Sequence, residues 1–500
     1  MAISFPSLPA NWKLPLFWAQ MDGSQAGGVS LANPAILIGQ KLTAGAQPIN
    51  TVVAIGTPAQ AGAAFGVGSM LERMVTKFLA RTPAATLYAC AVADPVGGVA
   101  ATGTITVGGT ATAGGTISLY IGGHMIPVGV ASGATGAQVA ASIAAAINAD
   151  ALTAVSAVAA LAVVTVTCKW LGATGDDITL LDSYLGTRGS QALPAGITLA
   201  YGAMTGGTGV PDLTGAITAM GDTIYDFVGL PYTDTGRMGV FDTEYGFGDT
   251  GRWGFIRELY GAIWTARRDT YANLMTWGPT GNSAVESTLA VEPGSPSPIW
   301  EWAAVYCAAA AAGYNEDPAR PLQSLELTGI LPAPQGQRFI TTMNSSLANV
   351  GMATQTVAPS GAPMILRETL RYQLNQYGQS DTAYELATTL YTLATVFRTL
   401  KSSITSKYPR HKVADDGTPF APGQAIVTPN TVRGELVSEY SNLMFNGLTE
   451  DVATFKANLI VTRNTTNPGR LDVLYPPNLV SGLRMFAVLG QFRLQYQPPA

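Results

Sequence analysis

The sequence predicts a multidomain α/β and α+β protein: a core α/β domain, an inserted β-rich α+β domain, and extended N- and C-terminal arms. Three observations predict it. Apolar runs of strand length flank a helix face before residue 93, a nearly uncharged block of hairpin-like segments then interrupts the pattern, and strand and helix signals resume beyond it. The resulting division is an arm over 1–30, core over 31–96, an insertion over 97–210, core again over 211–480, and a second arm over 481–500.

Pro6, Pro9 and Pro15 keep the first arm extended, and the apolar run 16–21 ends at Asp22-Gly23, as a strand before a turn does. Segments 35–39 and 51–56 read as buried strands. Met70, Met74 and Phe78 mark one face of a helix over 69–79, and 86–92 returns as a strand. Between Pro95 and Gly209 the only charges are Asp150, Asp176, Asp177, Asp182, Lys169 and Arg188. Strands are expected there at 103–107, 116–121 and 125–130, with Gly-Gly pairs suited to tight hairpins. A helix carrying Val139, Ile143 and Ile147 follows, then strands at 163–167, 178–181 and 197–200, and an exit loop at 205–211. Beyond it come a helix over 212–222, a core strand over 223–230, a helix over 252–269 and a strand through Met275 and Trp277. The longest helix is expected to start from Asp381 as N-cap, to carry a stripe of Leu386, Leu390, Leu393, Phe397, Leu400 and Ile404, and to stop at Pro409. A helix over 449–458, a strand over 459–462 and a strictly alternating terminal strand over 491–497 complete the reading.

Composition narrows the function. Charged residues make up 12% of the chain, about half the usual share, and mean hydropathy is +0.23, so much of the surface is neutral or covered by partners. A net charge of −5 gives no general attraction to nucleic acid. No run of 18 apolar residues occurs: 154–168 is broken by Ser156, Thr165 and Thr167, and the alanines after Cys307 stop at Gly313. The start of the chain has no basic-then-apolar leader, so the product is expected to stay in the cytosol where it is made. Cys90, Cys168 and Cys307 form no C-x-x-C pair and are expected as buried thiols. From residue 452 onward the bases Lys456, Arg463, Arg470, Arg484 and Arg493 outnumber the single acid Asp472, an asymmetry answered by an acidic partner or by solvent.

Residues for catalysis are scarce. The two histidines, His124 and His411, fall in a turn and a loop, leaving little for a His-based triad. No glycine precedes a lysine, so a G-x-x-x-x-G-K-[ST] loop is absent, as is H-E-x-x-H. The pairs Gly108-Gly109, Gly114-Gly115 and Gly206-Gly207 suit turns better than a dinucleotide fingerprint. Asp176-Asp177 and Asp415-Asp416-Gly417 lack the spaced ligands of a calcium loop and are expected as solvated turns. No catalytic, cofactor or metal residue is therefore assigned.

Several long strings carry a resemblance. Residues 407–429, KYPRHKVADDGTPFAPGQAIVTP, with 432–436, VRGEL, and 467–480, NPGRLDVLYPPNLV, with 491–494, QFRL, resemble the corresponding blocks of Mu-like contractile phage tail sheath proteins. The neutral block resembles the domain inserted in such sheaths. The resemblance implies a non-enzymatic subunit of the virion's contractile tail, assembled in the host cytoplasm as stacked hexameric rings around the tail tube. Such a sheath contracts to drive the tube through the host envelope. Its implied partners are further copies of itself, the tail tube protein, and the baseplate and tail terminator proteins, with no cofactor, no direct nucleic acid contact and no membrane insertion. Strand exchange between subunits would be carried by Phe492, Leu494 and Tyr496 at one end and by Phe17, Ala19 and Met21 at the other. Lys456 and Arg463 are expected to face an acidic tube. The competing reading, a self-assembling surface-layer or adhesin protein, calls for an export signal.

Overall fold

The computed structural model describes residues 33–494; the expected strand at 16–21, with Phe17, Ala19 and Met21, and residues 495–497 of the terminal strand, with Tyr496, lie outside them. The described chain opens with β1 (Ala35–Gln40), β2 (Val52–Ala54), α1 (Pro58–Phe65), α2 (Met70–Arg81) and β3 (Leu87–Val92). All six residues of β1 are buried, as a strand covered on both faces must be. Ser69 caps α2 by accepting the Glu72 N–H at 3.1 Å, and Met70, Met74 and Phe78 turn inward together.

The next stretch contains β4 (Thr102–Gly109), β5 (Gly115–Ile121), β6 (His124–Val130), α3 (Gly136–Ala149), β7 (Val155–Ala160), β8 (Val163–Cys168), β9 (Leu180–Asp182) and β10 (Ile197–Thr205). They form two antiparallel sheets, ordered β10-β4-β8-β7 and β6-β5-β9. Val139, Ile143 and Ile147 of α3 lie in the core that these sheets share. Gly122 and Gly123, at φ 52° and 75°, make the two-residue turn that brings His124 opposite Ile121.

The chain then returns through α4 (Thr214–Met220), β11 (Phe227–Gly229), α5 (Thr235–Glu244), β12 (Ala262–Arg268), α6 (Tyr271–Trp277), β13 (Glu286–Val291) and α7 (Ile299–Glu316). One six-stranded sheet, β13-β12-β11-β1-β3-β2, joins these strands to the first three, parallel throughout except at β2. The alanine-rich α7 lies buried against it; small side chains let helix and sheet approach, and a Cβ at Gly229 would sit 3.5 Å from Cys307 of α7 and 2.3 Å from Leu37 of the adjacent β1.

Two expectations fail here. Residues 252–261 are a turn and not a helix, because Arg252 is buried and its guanidinium donates to the Thr223 and Gly221 carbonyls and to Glu244. The strand β12 follows at once. Conversely, Met275 and Trp277 lie in α6, which Thr270 caps at the Asn273 N–H.

The remainder comprises α8 (Thr341–Asn349), β14 (Thr354–Val357), β15 (Pro363–Arg367), α9 (Ala387–Lys407), β16 (Lys412–Val413), β17 (Ile426–Val427), α10 (Pro429–Phe445), α11 (Val452–Asn458), β18 (Ile460–Arg463) and β19 (Leu471–Leu474). The long α9 starts after Leu386 and not at Asp381, whose carboxylate instead takes the Tyr372 hydroxyl and the Ala383 N–H. Val427, Val432, Leu436, Tyr440, Phe455 and Leu459 form a separate core beneath the β18–β19 hairpin. Among the described residues no helix is long and apolar enough to cross a membrane.

Candidate assembly surfaces

The hairpin β18–β19 is an isolated two-stranded antiparallel sheet with Val461 opposite Val473 and Thr462 opposite Asp472. Asn464 builds its turn, accepting the Thr466 and Asn467 amides through Oδ1 and donating to Asp472 at 2.7 Å. The Asn464 N–H also reaches the Arg470 carbonyl. Alternation from that bond points the peptide groups of Leu471 and Val473 away from β18. Among the described residues nothing pairs with this outer edge. One face, with Val461, Leu471 and Tyr475, packs on the C-terminal core. The other leaves Ile460 at 51% and Leu474 at 58% exposure.

The edge strand β7 is managed differently. Asn148, on α3, donates to the Ala157 carbonyl at 2.7 Å and accepts its N–H at 2.9 Å, while the Thr153 hydroxyl donates to the Val155 carbonyl. Side chains thus occupy the positions a neighbouring strand would take, a common defence of sheet edges.

After β19 the chain crosses from the C-terminal core to the main one. Val480 N–H bonds the Leu448 carbonyl, the Leu483 carbonyl accepts from Gln323, and Arg484 forks onto Glu368 at 2.8 and 2.5 Å and also reaches Thr388. From Met485 to Leu494 no hydrogen bond to the rest of the described chain is formed. Met485, Phe486, Val488 and Leu489 face solvent, as do Phe492 at 85% and Leu494 at 97% exposure. A strand partner for residues 491–494 is thus absent from the described part of the chain. Sequence reasoning placed the apolar stretch at 491–497 and missed 485–489, whose doubly apolar pattern was the available signal.

Lys456 lies exposed in the last turn of α11, and its carbonyl accepts from Arg433 at 2.8 Å. Arg463 is already engaged, with Asp415 at 3.1 Å and the Pro468 carbonyl at 2.8 Å. The structure therefore separates the two expected tube-facing bases: one has its charge partnered and the other is open.

His124 pairs with Asp150 at 2.8 Å, and His411 stands edge-on to Tyr408. All three cysteines are free and buried; burial pushes the Cys90 thiol up to about 11 and the Cys168 thiol up to about 12. Asp177 is a correction to the expected solvated turn. It sits under Arg268 at 2.5 Å and takes the first N–H of α7, from Ile299, at 2.5 Å.

A family model described as the phage tail sheath C-terminal domain matches residues 379–493. The chain is 34% identical to the Mu-like prophage FluMu tail sheath protein of Haemophilus influenzae over 496 residues, 99% of this chain and 100% of that protein. Among solved structures, it is similar to the sheath tail protein of Desulfitobacterium hafniense at a TM-score of 0.46 and 11% identity, covering 93% of this chain and 100% of that one. The sheath tail protein of Listeria innocua aligns at a TM-score of 0.45 and 14% identity, covering 90% and 92%. On the strength of the full-length relative, this chain belongs to the tail sheath proteins of Mu-like phages, a structural family of the virion and not a family of enzymes.

Proposed function

We propose that the chain polymerises with copies of itself as stacked hexameric rings around a tail tube, held together by strand exchange, and contracts to drive the tube onward. The observation that carries this is a pair of complementary vacancies: a hairpin edge without a strand, and an apolar arm without a sheet. The closed β7 edge on the same molecule marks the open one as a selective feature. Each donated strand contributes ladder bonds worth about 0.5–1.5 kcal/mol apiece, enough to tether subunits that must move. In this reading 31–96 and 211–480 form the moving core and 97–210 the outer unit. Phe492, Leu494 and Tyr496 belong to one donated strand, and Phe17, Ala19 and Met21 to the other. The contracted state buries more interface than the extended one, and a barrier holds the extended form until the baseplate releases it. Lys456 is the base that fits an acidic tube, whereas Arg463 meets Asp415 within its own chain.

Negative-stain electron microscopy of the purified chain beside a version truncated after Gly490 tests the proposal. Hollow sixfold tubes are expected from the intact chain alone. Tubes from both would remove the C-terminal arm from the linkage. Dispersed particles from the intact chain, with and without tube protein, would overturn the polymer.

A further inference from the structure

Resting on the strand-exchange reading above for what the arms do, we propose that helix α9 is a yoke that sets the exits of both arms together, so that loosening one arm root loosens the other.

The two roots are built alike. At the N-terminal root, Arg398 of α9 forks onto Asp226 at 2.6 and 2.9 Å and also donates to the Asn33 side chain at 3.3 Å. Asn315, near the end of α7, accepts the Asn33 N–H at 2.8 Å and donates to the Asn33 carbonyl at 3.2 Å, and the Asp226 N–H donates to the Pro34 carbonyl at 3.0 Å. At the C-terminal root, Arg484 forks onto Glu368 and donates to the Thr388 hydroxyl of α9 at 2.8 Å. The Glu368 carbonyl in turn accepts the Ala387 N–H that opens the helix. Asp226 and Glu368 have no exposed surface, so separating either carboxylate from its guanidinium is costly.

One face of α9 joins the two roots. At 3.6 residues per turn, Thr388, Tyr391, Thr395 and Arg398 fall within a quarter-turn of one another, and ten residues of helix set the roots about 15 Å apart. Tyr391 fills the space between them. Its hydroxyl donates to the Asp226 carbonyl at 2.8 Å, and its ring stacks on Phe227 and on Tyr314, with centroids 5.0 and 4.3 Å away. Tyr314 is followed by the same Asn315 that holds Asn33. Rings packed this closely leave α9 no room to shift at one end alone, because a packed helix moves as a body between discrete seats. A shift of α9 therefore draws Arg398 from Asp226 and Thr388 from Arg484 in one step. In the polymer the arm roots keep a fixed spacing, and any change of arm direction falls outside the two forks.

The full-length chain, held below the concentration at which tubes form, tests the yoke. Coupling between sites is reciprocal, so Arg398→Ala should speed proteolysis over 476–490 about fivefold, and Arg484→Ala should speed hydrogen exchange of the Asn33 and Asp226 amides about as much. The double variant should fall short of the product of the two single factors, since a helix already loosened has little left to lose, whereas independent anchors this far apart multiply. Effects confined to each variant's own root, or a double variant equal to the product, overturn the yoke. Equal acceleration of exchange in β4 of the insertion would mean general unfolding and overturn it as well. Arg398→Lys and Arg484→Lys keep the charge but cannot close a fork; they should show the same pattern more weakly and replace an alanine variant that does not fold. Because these measurements need no tubes, failure of the unmodified chain to polymerise would overturn the strand-exchange reading and leave the coupling standing.

Discussion

The guanidinium of Arg484 closes as a fork on the carboxylate of Glu368, at 2.8 and 2.5 Å, and Glu368 has no exposed surface. This pair is the last point at which the described chain is tied down before the arm departs. A buried carboxylate stripped of its cation is a large penalty, about 3–5 kcal/mol when one partner of such a pair is removed. Arg484→Ala should therefore lower the melting temperature and speed proteolysis over 476–490. A variant with the parent's melting curve and cleavage pattern would show that the arm is anchored elsewhere.

Asn148→Ala should expose the peptide groups of Ala157 on the outer edge of β7, beside the solvent-facing Val158 and Leu161. The lost bonds are worth about 1 kcal/mol each, a modest loss of stability with a larger effect on association, because an open edge recruits strands. In the version truncated after Gly490, which is expected not to form tubes, light scattering with Asn148→Ala should rise with concentration while the truncation alone stays unchanged over the same range. Equal scattering from both would mean that Asn148 does not protect this edge.

Much of this architecture was legible in the sequence because burial leaves periodicity behind. The runs at 35–39 and 86–92 became β1 and β3, and the Val139, Ile143 and Ile147 face became α3. What stayed illegible was held by single polar side chains acting across long sequence distances. Arg252 ties 252 to 221 and 223 and converts an expected helix into a turn. Asp177 looked like a solvated pair with Asp176, yet it meets Arg268 and Ile299, about a hundred residues away. The assembly surfaces were half visible: alternation at 491–494 announced a strand, but nothing local in 460–474 announced an open edge. An edge is defined by the partners that a strand lacks.

Trp170→Ala tests how firmly the two antiparallel sheets are seated on the main one. Trp170 meets Trp300 of α7 edge to face, with ring centroids 5.4 Å apart, and both are buried. Removing a buried tryptophan costs about 3–5 kcal/mol. The expected result is faster hydrogen exchange in α7 near Trp300 together with the 170–180 segment. Acceleration confined to 170–180 would mean that the seat does not depend on this contact.

Acid should loosen the C-terminal hairpin region before the main sheet, because the shifted carboxylates around the hairpin are depressed whereas the buried ones around the main sheet are raised. Glu435 is held below its ordinary value first by its hydrogen bond from Lys407, Asp451 by Thr454, and Asp472 by Asn464. A depressed carboxylate stabilises the native chain above its ordinary value, about 3.9 for Asp and 4.3 for Glu. That stabilisation is lost as pH falls through the depressed value. In the main body, burial raises Asp177, Asp226, Glu286 and Glu292 despite cations such as Arg268 beside Asp177 and Arg398 beside Asp226. Those groups take up protons in the native state before the unfolded chain does. Falling pH therefore favours the native main body between their raised values and the ordinary carboxylate range. Hydrogen exchange followed from pH 7 to pH 3, corrected for intrinsic rates, should show 429–474 losing protection while β1, β11 and β12 keep theirs. The reverse order would overturn the assignment of opposite shifts to the two regions.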